Sequence, residues 1–270
     1  MKPAGFVILL MFLFFSSEEK GRSPQQDFCK VKNTTTQAGE EIAYTVYYSV
    51  AELYVYAGYA VFSNKLEMLD GKPVYHITGA GRSNKKYDWI YQVRDRYESY
   101  IDTATMQPLI FKRDVHEGKV KKKEQIKFDH SSHTATTDSG TFKIPSCVQD
   151  VLSTVYFARN IDFSPFKEND RIPYKMFLEN EVHSLFIRYL GKEVVNTTFG
   201  KFKAIKFSAQ LVPGTIFSGE EDMVVWVTDD ANRVPVRIQS SILIGSIKVD
   251  MSGYKNLRHP LTSLMKKKSK

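Results

Sequence analysis

Two pairs of residues in this sequence have a spacing that could support metal or acid–base chemistry. His130 and His133 stand three residues apart, which is a spacing at which two imidazoles can share a metal ion on a helix. They lie in a polar, turn-like stretch without an acidic or cysteine third ligand, so loop histidines are favoured. Asp229 and Asp230 are adjacent, and on a strand their carboxylates would point to opposite faces. A turn is therefore favoured over an acid–base pair at this position.

The sequence contains no other pattern that is typical of a catalytic site. It has no G-x-S-x-G, P-loop, G-x-G-x-x-G or H-E-x-x-H motif. Ser153 falls inside a predicted helix without an evident base, and Asp150 suits the positive end of that helix better than a ligand contact. We expect a protein that is not an enzyme and has no catalytic residues, no metal site and no cofactor.

The chain has two cysteines, Cys29 and Cys147. In an oxidising compartment such a pair is readily joined as a disulfide, and two unrelated buried thiols are the alternative. In the chain-entropy model, a bridge that closes a loop of over a hundred residues stabilises the fold by on the order of 4–5 kcal/mol. Neither cysteine has a second cysteine or histidine nearby at metal-ligand spacing. We predict the disulfide.

The N-terminal residues predict export. Lys2 precedes the unbroken apolar run Phe6–Phe15, which is too short to cross a bilayer but suits a signal peptide. We expect a leader over residues 1–17, or up to 22, with an uncleaved anchor as the alternative, followed by a polar linker over 18–35. Cys29 lies too far beyond the apolar run to be lipidated. The mature chain should be periplasmic or associated with the outer membrane, without a transmembrane span.

The chain carries a formal net charge of +8, and its basic residues form two clusters. One cluster is a C-terminal tail over residues 259–270, and the other lies on an apparent strand. An exported protein seldom meets nucleic acid, so anionic lipid or acidic polysaccharide is the partner that such clusters would bind. A solvated edge strand with a frayed tail is the simpler explanation. The candidate contact residues on the strand are Lys119, Lys121, Lys122 and Lys123.

Most of the chain has the pattern of β-strands. Strand-like stretches recur every eight to twelve residues, and Asp70-Gly71 between two of them is a strong hairpin signal. We predict a mainly β, single domain over residues 36–258, formed by a large curved antiparallel sheet or a partial β-barrel (half-barrel) meander. One helix over about 147–160 interrupts the strands, with Ser146 as its N-cap and Gln149 completing a capping box.

Several separate motifs follow one another along the chain: Gly39-Glu40, the Tyr-rich first strand, Arg94–Ser99, Cys147–Ser153, Gly200–Lys203 and Trp226–Pro235. Together they resemble an exported bacterial family, the one called domain of unknown function 3108, and its Bacteroidetes members in particular. The likeness covers roughly residues 36–258. It implies a signal peptide, a β-rich fold with one main helix and an envelope location, and it implies no catalytic residues. A weaker likeness in shape connects the chain to the open β half-barrels that carry lipoproteins.

Two functions remain open. The chain could bind or carry a lipid or another apolar small molecule in a concave pocket of the curved sheet, since such pockets are mostly apolar. Alternatively, it could be a structural or interaction protein that meets another envelope protein. The candidate pocket-wall residues are Tyr44, Tyr48, Tyr54, Tyr56 and Phe62.

Overall fold

The computed structural model describes residues 31–50, 53–212, 223–242 and 245–266. The predicted leader, Cys29 and most of the predicted linker lie outside the described residues. The described part contains one α-helix, α1 (Val151–Arg159), and a short 3-10 turn (Lys85–Tyr87). Its strands are β1 (Glu41–Val50), β2 (Leu53–Leu69), β3 (Lys72–Ser83), β4 (Arg94–Asp102), β5 (Pro108–Glu117), β6 (Val120–Asp129), β7 (Thr134–Thr137), β8 (Gly140–Lys143), β9 (Arg171–Leu178), β10 (Glu181–Asn196), β11 (Lys201–Ala209), β12 (Met223–Thr228), β13 (Pro235–Ser241) and β14 (Ser246–Lys255).

The strands form one antiparallel sheet in which almost every strand pairs with its neighbours along the chain. The order is β8-β7-β6-β5-β4-β3-β2-β1-β14-β13-β12-β11-β10-β9, so the first and last strands meet in the middle. The two edges, β8 and β9, do not pair with each other in the described residues, so the sheet is not closed. They approach through side chains, with the rings of Phe142 and Phe177 5.9 Å apart. The predicted half-barrel meander is confirmed.

The local sequence explains the strands and the β2–β3 turn. In β9, Ile172, Tyr174 and Met176 are buried, and the residues between them are exposed. This alternation is that of a strand with one face on the core. At the β2–β3 turn, Asp70 and Gly71 both have positive φ, 49° and 78°, as the tight hairpin turns that favour Asp-Gly require.

Helix α1 begins later than the sequence predicts. Its N-cap is Asp150, whose carboxylate accepts hydrogen bonds from the backbone N–H of Leu152 and Ser153, and the Ser153 hydroxyl completes a capping box. The predicted start at 147 and the predicted N-cap Ser146 are wrong. Cys147 has a φ of 61°, and Gln149 pairs in parallel with the edge strand β9. A pairing with a strand that follows later in the chain leaves no local signal in the sequence.

Helix α1 lies on one face of the curved sheet, which we call the inner face. A Cβ on Gly79 of β3 would lie 3.2 Å from the Phe62 ring and 3.4 Å from Leu152 of α1. The helix therefore approaches the sheet closely where the strand has no side chain. The described core forms three buried hydrophobic clusters, and Leu152, Tyr156 and other residues of α1 belong to two of them. The helix thus covers the part of the inner face beside β3, β4 and β9.

The two ends of the sheet differ. Because neighbouring strands are antiparallel, alternate connections gather at the same end. The packed end holds the start of β1, the β12–β13 turn and the chain after β14. There Val31 joins a buried cluster, and Leu264 pairs with Phe202 of β11. The open end holds the β1–β2 and β5–β6 hairpins and the β3–β4 loop. Residues 31–35 of the predicted linker and residues 259–266 of the predicted tail therefore lie against the body.

Candidate binding surface at the open end

The histidine and aspartate pairs that could have supported chemistry organise turns. Nε2 of His130 lies 2.7 Å from the Pro108 carbonyl oxygen. The Asp230 carboxylate accepts hydrogen bonds from the backbone N–H of Asn232 and Ser263, while Asp229 pairs with Lys192. Within the described residues, no group of three or more His, Cys, Asp or Glu side chains is arranged to hold a metal ion.

A buried ion pair at the packed end could not be recognised in the sequence. Both terminal nitrogens of the Arg159 guanidinium contact the Glu40 carboxylate, at 2.6 and 2.9 Å, and the remaining donors reach the carbonyl oxygens of Asn232 and Thr35. Burial beside this pair raises the pKa of the Tyr44 hydroxyl. The pair is fully buried and its donors are satisfied, so it connects α1 to β1 and to the β12–β13 turn.

The N-cap carboxylate of α1 is also fully buried. The Ser99 hydroxyl donates to Asp150 at 2.6 Å, in addition to the two backbone donors of the helix. Burial outweighs these hydrogen bonds and raises the pKa of Asp150 to about 6. All of its contacts belong to the helix start and to β4, so the structure assigns it to helix capping.

The structure describes one of the two cysteines of the predicted disulfide, Cys147. Cys147 is buried and is not a free thiol in the described part of the chain. Its predicted partner Cys29 lies outside that part, so the pairing stays a prediction.

The five predicted pocket-wall residues do not share one face. Tyr44 and Phe62 pack edge to face with ring centroids 5.6 Å apart, and Tyr48 follows Tyr44 on the same side of β1. Tyr54 and Tyr56 lie on the other side, because the β1–β2 pairing shifts by one residue beyond Val46, at the bulge around Ala57. The chain thus places three candidates on the inner face and two on the outer face.

A lysine side chain packs against two tyrosine rings on the outer face. Lys248 of β14 lies opposite Tyr47 of β1, and its Nζ stands 4.9 Å from the Tyr47 ring and 3.8 Å from the Tyr54 ring. Contacts of this geometry are cation–π interactions. Tyr54 therefore belongs to an exposed aromatic and basic surface.

Eight of the fourteen exposed large apolar side chains in the described part of the chain lie at the open end. Trp89 is 83 % exposed and Ile90 is 62 % exposed in the β3–β4 loop, and the other members lie on the strand ends beside this loop. We call this set the apolar rim. Its members are Leu53, Tyr54, Val55, Tyr56, Trp89, Ile90, Tyr91 and Val120. Large exposed apolar patches are typical of surfaces that meet a partner or a membrane, so the apolar rim is a candidate binding surface.

The β3–β4 loop is held in place by polar contacts beneath the rim. The backbone N–H of Asn84 donates to the Ala57 carbonyl oxygen, and Asp88 and Arg94 form an ion pair across the loop. Tyr91 packs against Gly118 of the β5–β6 hairpin, where a Cβ would lie 2.9 Å from its ring. The loop therefore presents Trp89 and Ile90 from a fixed base.

The basic residues predicted as an anionic contact split into two groups. Lys122 pairs with Glu179, and Lys123 pairs with Asp114, so both charges are compensated. Lys119 and Lys121 are exposed and make no ion pair with the described residues. Lys119 lies in the β5–β6 hairpin beside Val120 of the apolar rim, so the structure brings it to the open end.

Two half-buried carboxyl groups lie on the strands below this hairpin. Asp95 of β4 and Glu117 of β5 contact each other, and the backbone N–H of His116 donates to Asp95. Burial is the main cause that raises the pKa of both carboxyl groups, and their mutual repulsion adds to it for Glu117. The sequence gives no local sign of this pair, because its members are 22 residues apart.

Two cavities of about 320 and 350 Å³ lie among the described residues of β4–β10. Charged and polar side chains line both of them, and Lys123, Glu124 and Asp138 belong to both linings. An apolar ligand would leave these groups without partners.

Within the described residues, no helix is both long and apolar enough to cross a bilayer.

Comparison with known proteins places the fold and the family. A β-barrel-like protein of the DUF1849 domain from Brucella abortus has a TM-score of 0.52 at 8 % identity, covering 82 % of this chain and 98 % of its own. A provisionally named lipoprotein from Parabacteroides distasonis (TM-score 0.36, 10 % identity, 85 % and 100 % covered) and a provisionally named exported protein with a YmcC-like fold from Bacteroides fragilis (0.32, 11 %, 84 % and 100 %) are also similar. No curated protein matches the sequence. The model of the family described as "Protein of unknown function (DUF3108)" matches residues 43–252, and the chain belongs to this family.

Proposed function

We propose that this chain is an exported protein of the bacterial envelope, periplasmic or associated with the outer membrane, that acts by binding a partner at its open end. It performs no chemistry of its own in this proposal. The observation that carries it is the contrast between the two surfaces. Helix α1 covers the part of the inner face beside β3, β4 and β9, while the apolar rim stands exposed to solvent.

The geometry favours this function over carriage of an apolar molecule in a concave pocket. Leu152 of α1 occupies the place on the inner face where such a molecule would lie against Phe62. Two of the five predicted wall residues, Tyr54 and Tyr56, lie on the outer face. A buried ligand pocket normally encloses most of its ligand in apolar walls, whereas the two cavities described here have charged linings.

The proposed location is supported by the N-terminal sequence and by the state of Cys147. The run Phe6–Phe15 has the length of a signal-peptide core, and an oxidising compartment would join Cys29 to the non-free Cys147. We therefore expect cell fractionation to recover a shortened chain from the periplasm or the outer-membrane fraction.

Native mass spectrometry of protein expressed with its own leader tests the proposal. We expect the mass of a cleaved chain that is two hydrogens lighter than its reduced form, with no lipid-sized species bound. A discrete species that organic extraction removes would instead establish carriage and overturn the proposed function. Recovery of the uncleaved protein from the cytosol with both thiols reduced would overturn the location.

A further inference from the structure

The apolar rim combines two kinds of side chain. Trp89, Tyr91, Tyr54 and Tyr56 are aromatic residues with a polar atom, the type that is enriched where membranes meet water. Leu53 and Ile90 are purely apolar and stand exposed beside them. With Val55 and Val120, the rim presents eight such groups together, and a surface that only met water would gain nothing from this.

Uncompensated positive charges flank the rim. Lys85 and Lys86 lie in the 3-10 turn that leads into the β3–β4 loop, and Lys119 lies in the β5–β6 hairpin. All three are exposed and form no ion pair with the described residues. The nearby Asp88 carboxylate is neutralised by Arg94, and Asp95 and Glu117 are half-buried beneath the hairpin.

We propose that the open end docks on an anionic lipid surface, with Trp89 and Ile90 inserted at the level of the headgroups and Lys85, Lys86 and Lys119 contacting lipid phosphates. The inference rests on the proposed function, because it names the partner of the same surface. Apolar burial and electrostatic attraction act together in this kind of interfacial binding. A second copy of the chain would satisfy the apolar side chains but would bring like charges together.

Binding to vesicles tests the inference. The full chain is mixed with vesicles of phosphatidylcholine alone or with added phosphatidylglycerol, and the bound fraction is measured by co-sedimentation. We expect binding to the anionic vesicles that weakens as salt is added. Since one lysine near an anionic surface strengthens binding about fivefold, the variant K85Q/K86Q/K119Q should bind on the order of 100-fold more weakly.

Matched variants at the other end of the molecule serve as controls. The control for K85Q/K86Q/K119Q is K72Q/K127Q/K143Q, which removes three exposed lysines that lie towards the packed end. The control for the apolar variant W89S/I90S is L66S/M68S. Leu66 and Met68 are 56 % and 67 % exposed at the far end of β2. The control variants should bind vesicles nearly as well as the unchanged chain, while W89S/I90S should lose at least tenfold in affinity.

Tryptophan fluorescence reports the depth of the rim directly. The chain has two tryptophans, and Trp226 is only 7 % exposed, so a change on vesicle addition comes from Trp89. We expect a blue shift with anionic vesicles that is absent from W89F. No binding to either vesicle, equal losses in the rim and control variants, or self-association abolished by W89S/I90S would each overturn the inference. None of these outcomes would overturn the proposed function. The proposed function is overturned only if native mass spectrometry finds a retained lipid or if the uncleaved protein is recovered from the cytosol.

Discussion

The two ends of this half-barrel differ in where their side chains find partners. At the packed end, α1, the first residues before β1 and the chain after β14 close over buried clusters, and even the Arg159 and Glu40 charges are fully paired. Large apolar side chains are exposed at both ends of the described chain, but Trp89 and Leu53 of the open end, at 83 % and 74 %, are the most exposed of them. Stability and binding are therefore separated along the strands, so that changes at one end should leave the other largely intact.

The largest effect should follow from breaking the buried ion pair. Glu40→Gln leaves the Arg159 guanidinium buried without a carboxylate, which typically costs about 3–5 kcal/mol. Urea unfolding measures this loss. The exposed pair of Arg96 and Glu98 provides the control, because R96Q should cost at most about 1 kcal/mol. If E40Q and R96Q lost the same free energy of unfolding, the buried ion pair would not stabilise the packed end more than an exposed pair does.

A cavity under α1 should have the next largest effect. Leu152→Ala removes a buried side chain that packs against the inner face, and such truncations cost about 2–5 kcal/mol. Binding to anionic vesicles should be unchanged wherever the variant remains folded. If L152A were as stable as the unchanged chain, the packing of α1 against the inner face would not stabilise the fold.

The third prediction concerns pH. The raised pKa of Asp150, about 6 against 3.8 in an unfolded chain, means that the folded state binds this proton more tightly. The stabilising contribution is fully present below pH 3.8 and is lost as the pH rises to about 6, by up to about 3 kcal/mol. Asp150→Asn keeps a capping side chain, so its stability should change less over this window. Parallel curves for the two proteins in urea titrations at several pH values would contradict the assignment.

The smallest effect is expected at the apolar rim. Ile90→Ser changes a side chain that is exposed in the β3–β4 loop, so the free energy of unfolding should shift by no more than about 0.5 kcal/mol. The same urea experiment measures it. A loss comparable to that of L152A would show that the rim helps to hold the fold together.

The sequence predicts the architecture well because its signals are local. Alternation along β9 and the Asp70-Gly71 turn depend on neighbouring residues alone, and the half-barrel meander follows from many such stretches. The start of α1 could not be predicted in the same way. Gln149 continues a strand pairing with β9, which follows it in the chain, and only the three-dimensional structure shows that partner.

The candidate site was predicted less well for two physical reasons. A one-residue bulge near Ala57 moves Tyr54 and Tyr56 to the opposite face from Phe62, although all three have even numbers on the same strand. The partners of charged groups are also set by the fold: Lys122 and Lys123 find carboxylates, whereas Lys119 reaches the open end. The composition and strand pattern indicated which aromatic and basic residues were candidates for binding. They could not show on which surface of the folded chain each candidate would lie.

Hydrogen exchange in the presence of vesicles tests most directly whether the open end is the binding surface. Amide exchange is followed by mass spectrometry with and without phosphatidylglycerol vesicles. We expect added protection in the β3–β4 loop and at the start of β2, with no change in the β2–β3 turn at Asp70-Gly71. Protection centred on that turn or elsewhere at the packed end, or no protection anywhere in the chain, would contradict this expectation.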